Sequence, residues 1–169
     1  MRHRSFTLEC TQDSFEERRS STSSLRVIRA GTRDVALCKR LWSNVGSGFW
    51  TERSRWDLAR WRKQLLEPNI SFWIASVSGQ EAGCFELTEM ARGVRIDGFG
   101  LLSPYRGQGL GRDLLTAATE QAFAMGVSKI WLHTATDDHP NALPNYLSSG
   151  YRIIRERELK NPISSRSQP

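Results

Sequence analysis

No run of apolar residues in this 169-residue chain is long enough to span a bilayer or to form the hydrophobic region of a secretory signal, which points to a soluble, cytoplasmic protein. Cysteine is sparse. Cys10, Cys38 and Cys84 are odd in number and widely spaced, with no CxxC and no nearby His pair, so a disulfide framework and a zinc site are both excluded in favour of free thiols and no metal. Internal repeats are absent. Acidic residues are outnumbered, 18 against 24 basic ones, and the net charge of +6 comes mostly from Arg. Such an excess suits an anionic small molecule as readily as a nucleic acid. With 38% hydrophobic residues, the chain can build a single core.

What is present divides the chain into an N-terminal arm, one folded domain and a short tail. Residues 1–24 mix Arg, Glu and a Ser-Ser-Thr-Ser-Ser run with few apolar anchors and read as a disordered arm; residues 161–169 read as a flexible tail. Glu9, Asp13, Glu16 and Glu17 argue against a transit peptide. Between these ends, strands are expected at 25–29, 70–77, 81–88, 94–102, 129–134 and 151–158. Helices are expected at 32–42, 54–67, 110–125 and 140–149, the second stopped by Pro68 and the third by Gly126. The order β-α-α-β-β-β-α-β-α-β predicts an α/β domain over residues 25–160, a mixed sheet with helices on both faces.

One stretch carries the most chemistry: Ser103-Pro104-Tyr105-Arg106-Gly107-Gln108-Gly109-Leu110-Gly111-Arg112. Glycines at alternating positions let the backbone take positive φ and approach a ligand closely, and the first amides of the helix that follows have no partner inside it. Those N–H groups and the helix dipole favour a phosphate, to which Arg106 and Arg112 add full charges. Taken alone, Arg106-x-x-Gly109-x-Gly111 is a weak pattern. A strand before it, an amphipathic helix after it and a second motif, Ala142-Leu143-Pro144-Asn145-Tyr146-Leu147-Ser148-Ser149-Gly150-Tyr151, supply the specificity.

Together these motifs resemble the GCN5-related N-acetyltransferase (GNAT) superfamily over about residues 25–158, most sharply over 94–151. Leu41-Trp42-Ser43-Asn44-Val45-Gly46, Trp50-Thr51-Glu52-Arg53 and Trp131-Leu132-His133-Thr134 through Asp138-His139-Pro140 look like a bacterial branch of it to which no substrate attaches. The resemblance implies a mostly antiparallel central sheet and acetyl-CoA as co-substrate, its pyrophosphate on the amides of Gln108, Gly109, Leu110, Gly111 and Arg112 near Gly107. It also implies that a residue just before the turn offers its N–H to the thioester carbonyl. Counting from the glycines selects Leu101; counting from Pro104 selects Leu102. Tyr146 would protonate the departing thiolate, the alternative being a ring packed in the core with its hydroxyl on a carbonyl. His139 stands where many members have Asn beside the pantetheine.

The base is open. Members often carry Glu on the strand at 94–102, where this chain has Arg95; Asp97, on the same strand face, and Glu86, on the neighbouring strand, are the candidates to replace it, with His133 third. Glu86 could equally partner an Arg, Asp97 could be a solvated charge, and His133 could be a hydrogen-bonded structural side chain. Acceptor choice is expected in the aromatic segment 41–61, where Trp50 and Arg53 fall in a loop. Arg53 would meet a substrate carboxylate or else pair with Glu52 or Asp57. The reading is an acetyl-CoA-dependent transfer to the primary amine of a small molecule by direct attack, without membrane or nucleic-acid partners, and the resemblance admits a homodimer. A non-catalytic acyl-CoA-binding or sensing module is the alternative, and a nucleic-acid-binding domain a weaker third.

Overall fold

Phe6, Leu8 and Cys10 stand two residues apart, and in the computed structural model, which describes residues 3–159, all three are buried. Burial with a period of two marks a strand with one face on a core, and His3–Thr11 forms strand β1. The disordered arm expected at residues 1–24 is thereby corrected over its described part, residues 3–24. Its polar residues alternate with apolar ones that a sheet can bury, and the stretch after β1 is pinned along a later helix. The Arg18 N–H donates to Thr116 Oγ1, the Ser20 N–H donates to Asp113 Oδ1 at 2.9 Å, and Arg19 pairs with Glu120. The tail expected at 161–169 lies outside the described residues.

The remaining elements are strand β2 (Leu25–Arg29), helices α1 (Val35–Val45) and α2 (Leu58–Leu66), strands β3 (Ile70–Val77), β4 (Gln80–Met90) and β5 (Gly93–Leu101), helix α3 (Leu110–Phe123), strand β6 (Lys129–Ala135), helix α4 (Ala142–Ser148) and strand β7 (Arg152–Leu159). They form a seven-stranded sheet in the order β2-β3-β4-β5-β6-β1-β7. Every pairing is antiparallel except β5 with β6, so the sheet is mixed and mostly antiparallel, as expected. The strand that the sequence reading missed fills a slot inside the sheet, between β6 and β7.

The two sheet faces bury different sets. Cys84 on β4 packs in one cluster with Cys38, Leu41, Trp42 and Trp61 of α1 and α2, while its neighbours Phe85 and Leu87 pack on the other face with Leu114, Leu115 and Ala118 of α3. Helix α1 buries Val35, Cys38, Leu41, Trp42 and Val45, the three- and four-residue spacing of an amphipathic helix. Helix α2 starts at Asp57, whose carboxylate accepts from the Arg60 N–H at 2.8 Å.

One irregularity positions the site. Strands β5 and β6 pair only at Val94–Ile130 and Arg95–Trp131, and then part. Past that point the β4–β5 register shifts, and Gly98 takes φ +52°, with no room for a Cβ against the Trp42 ring. This bulge turns the end of β5 so that Leu101 packs on the α3 side. The Leu102 N–H donates to Ala82 O at 2.8 Å across β4. Antiparallel alternation therefore aims the Leu101 N–H away from β4, into the opening between β5 and β6.

Candidate active site

Where β5 and β6 part, a cavity of about 810 Å³ opens, walled by both strands, the turn into α3, α4 and the loop after α1. At its α3 end, Gly107 (φ +75°) and Gly109 (φ +78°) both require the left-handed conformation, and Gly109 caps the helix without a side-chain hydrogen bond. The opening amides of α3 thus lack intrahelical acceptors. Gly107, Gly109, Gly111 and Arg112 line the cavity, and Arg112 Nε is a buried donor with no hydrogen-bond partner, 3.7 Å from Asp113. Such a donor set fits a diphosphate.

Arg106 also lines the cavity, with two of its nitrogens spent within the chain. Its Nε donates to Leu101 O at 3.0 Å and its Nη2 to Val45 O at 3.1 Å, so it staples the turn to β5 and to the end of α1. Gln108 likewise spends its amide on Pro104 O at 2.8 Å, and neither Gln108 nor Leu110 lines the cavity with a side chain. Of the two residues named for the thioester contact, Leu101 lines the cavity; the Leu102 amide is engaged by Ala82.

Tyr146 projects from α4 into the cavity wall, 7% exposed, between the rings of Phe99 and Tyr151. Burial first, and the nearby Asp138 second, hold its phenol far above the ordinary tyrosine pKa, so it is a protonated donor. His139 also lines the cavity, accepting the Asn141 N–H on Nδ1 at 3.2 Å, edge-on to Phe49. Asn145, not singled out from the sequence, donates its Nδ2 to Gly111 O at 3.1 Å and so ties α4 to the glycine turn. Its place beside Tyr146 in the second motif was the available signal.

The remaining candidates separate. Glu86 is fully buried and does not line the cavity; Arg53 holds both its oxygens, at 2.8 and 2.7 Å, and Gln64 adds a third contact at 3.3 Å. The Arg53 guanidinium is itself boxed by Trp42, Trp56 and Trp61, with centroid distances of 4.0, 4.8 and 5.2 Å. Glu86 as base is corrected on this geometry, since it is sealed from the cavity and takes the other role the sequence left open, partner to an Arg; Arg53 does line the cavity, but its guanidinium is engaged by Glu86, and neither Glu52 nor Asp57 holds it. Asp97 and His133 do line the cavity. Asp97 accepts from Arg95 Nε at 2.8 Å. His133 Nδ1 shares a hydrogen at 3.0 Å with Thr7 Oγ1 of β1, a contact no reading of β1 as an arm could foresee. Partial burial lowers the His133 pKa below its ordinary value, with Asp97 opposing and Arg95 adding to the effect, so the imidazole is neutral at pH 7. Trp50 lines the cavity with Nε1 buried and unpartnered, against Trp42.

None of the three thiols lines the cavity, and all are buried. Burial pushes Cys38 up to about 12 and Cys84 higher still, which leaves neither a thiolate nucleophile.

Comparison with known proteins agrees with this architecture. No curated protein sequence matches the chain. Among solved structures, a GCN5-related N-acetyltransferase from Kribbella flavida aligns over 96% of this chain and 60% of its own, at 19% identity and a TM-score of 0.65. One from Sphaerobacter thermophilus aligns over 93% and 50%, at 17% identity and a TM-score of 0.70. This chain thus spans only 50–60% of their length. An aminoglycoside acetyltransferase from an uncultured soil metagenomic sample aligns over 83% of this chain and 97% of its own, at 24% identity and a TM-score of 0.64. Likeness at these identities shows the fold. The sequence model of the acetyltransferase (GNAT) family matches residues 35–151, most of the chain and most of the residues that wall the cavity, and the protein belongs to that family.

Proposed function

We propose that this protein transfers an acetyl group from acetyl-CoA to a primary amine by direct attack in a ternary complex. The observation that carries this reading is the turn at Gly107–Arg112, whose unpaired amides, together with an Arg112 Nε that makes no hydrogen bond, open onto one cavity with the Leu101 N–H and Tyr146. Acetyl-CoA fits that donor set: the amides opening α3 and Arg112 hold its diphosphate, and the free Leu101 amide receives the thioester oxygen. The amide contributes most as negative charge builds on that oxygen during attack.

His133 takes the amine proton at the far end of the cavity, its ring set by Thr7 and its charged form favoured by Asp97. The amine nitrogen then bonds to the acetyl carbon as the C–S bond breaks. Tyr146 gives its proton to the sulfur and regains one from solvent, while the proton on His133 passes to water. Trp50 and Phe49 wall the acceptor side.

Isothermal titration with CoA and a thiol-release assay over an amine panel test the proposal. Wild type should bind CoA and release thiol with at least one amine. Gly109→Glu should abolish CoA binding, because it sets a carboxylate at the phosphate site, and Tyr146→Phe should bind CoA normally while losing about 10²–10⁴-fold in kcat. Unchanged CoA affinity in Gly109→Glu overturns the reading; binding without turnover on any amine favours an acyl-CoA sensor.

A further inference from the structure

Helices α1 and α2 cover only part of their sheet face, and the strand register shows what the uncovered part presents. Glu86 faces α2 and pairs with Asp97, so Asp97 and Arg95 share that face; Arg95 pairs with Trp131, which puts His133 there too. His133 is opposite Thr7, Thr7 is opposite Arg155, and Ser5 is opposite Arg157. Residues opposite one another in a ladder point to the same side. A row therefore runs from the cavity across β6 and β1 to the edge strand: His133, Thr7, Arg155, with Ser5 and Arg157 one step along. Ser5 and His133 line the cavity, so the row begins at its mouth.

The charge on this surface is one-sided. The two carboxylates facing it are neutralised locally, Asp97 by Arg95 at 2.8 Å and Glu9 by Lys129 at 3.4 Å and the Trp131 Nε1–H at 2.9 Å. Arg155 and Arg157 are exposed and form no hydrogen bond or ion pair with any described residue. Their neighbours Glu156 and Glu158 point to the opposite face, where Glu156 pairs with Arg4. A second copy of this strand is a poor occupant: antiparallel self-pairing centred on Glu156 sets Arg155 opposite Arg157, and like charges directly opposite repel. Residues 160–169 carry Lys160 and Arg166 and no acidic side chain, so they do not complement the patch either.

We propose that the uncovered face formed by β6, β1 and β7 docks an acidic polypeptide, with Arg155 and Arg157 pairing to its carboxylates while its amine enters the cavity beside His133. This deepens the proposed acyl transfer, and the choice of a polypeptide over another polyanion rests on it: the cavity needs a primary amine, which a peptide terminus or lysine supplies. The acceptor is then a macromolecule rather than a free small amine. Arg155 and Arg157 act on its association and leave the chemical step alone.

The test is direct binding and needs no turnover, so its outcome is separate from that of the acyltransfer reading. Probes are a fluorescent acidic peptide with a free N-terminal amine, its Asp/Glu-to-Lys counterpart, and a single-stranded oligonucleotide, each titrated by anisotropy at low and high salt. The acidic peptide should bind wild type, bind more weakly as salt rises, and lose at least about tenfold in affinity in Arg155→Glu/Arg157→Glu. That variant should keep its far-UV circular dichroism and its CoA affinity, since both side chains are exposed and outside the cavity. Arg62→Glu/Arg33→Glu, with the same net charge change elsewhere, should bind like wild type. The proposal is overturned if wild type does not bind the acidic peptide, if the edge variant binds within twofold of wild type, if the control variant is weakened equally, or if the oligonucleotide binds more tightly and is the ligand lost on charge reversal.

Discussion

His133 is a side chain whose environment sets its chemistry. It sits on β6 at the cavity wall, hydrogen-bonded to Thr7 from β1, with Asp97 and Arg95 acting on it from β5. Desolvation disfavours imidazolium, and the folded pKa falls below the ordinary 6.5. A base works when neutral, so kcat/KM should decline only as pH drops through that lowered value, on the acid side of 6.5. The signs of the neighbours are then fixed: Asp97→Asn should move the acid limb lower, Arg95→Gln should move it higher, and His133→Gln should remove it. Stability carries the same sign. Between the folded and unfolded values the unfolded chain binds the proton first, so this group's linkage is absent above about 6.5 and costs stability as pH falls below it. Rate–pH profiles of the three variants check the order, and an acid limb unmoved by all of them sinks His133 as base.

At the scale of elements, the Arg53–Glu86 pair fastens the loop between α1 and α2 onto β4. Glu86 is fully buried and the Arg53 side chain only 12% exposed, and three tryptophan rings exclude water from the pair. Removing one partner leaves a charge where it can be neither solvated nor matched, so Arg53→Met should cost about 3–5 kcal/mol in urea unfolding. Arg53→Met/Glu86→Leu should recover most of that loss, since the Coulombic gain of a buried pair largely offsets its own desolvation; a double variant no more stable than the single would contradict this account. The pairing spans 33 residues of chain, and nothing near Arg53 announces it. The glycine turn was legible for the opposite reason: its glycines, the strand before it and the helix after it are all local. Which of Leu101 and Leu102 faces the cavity was not, because it depends on the register shift between β4 and β5 and on the turn at Gly98, where the Trp42 ring of a distant helix leaves no room for a Cβ. β1 escaped because its three apolar residues are few, alternate with polar ones and adjoin a serine-rich stretch; the period of two was present, but composition outweighed it.

For the molecule as a whole, β1 ties the first described residues to the last strand. It lies between β6 and β7 with antiparallel registers on both sides, and Phe6, Leu8 and Cys10 join the core cluster that also holds Leu114, Ala118 and Ile130. Without it, β7 would have no partner in the sheet, β6 would lose its second ladder, and Thr7 would be withdrawn from His133. The segment outside the family-matched residues is thus an integral part of both core and site. Leu8, fully buried, should behave as a central core residue: Leu8→Ala should cost about 2–5 kcal/mol, the removed methyl groups plus the cavity they leave. Ile28 on the opposite edge strand is a control of similar size but 63% exposed, and Ile28→Ala should change stability by about 0.5 kcal/mol or less. Urea unfolding of the two variants separates a sheet strand from an arm. If β1 were a loosely attached arm, Leu8→Ala would be as silent as Ile28→Ala; if it is an internal strand, the loss appears in the same cooperative transition that reports the unfolding of β5 and β6.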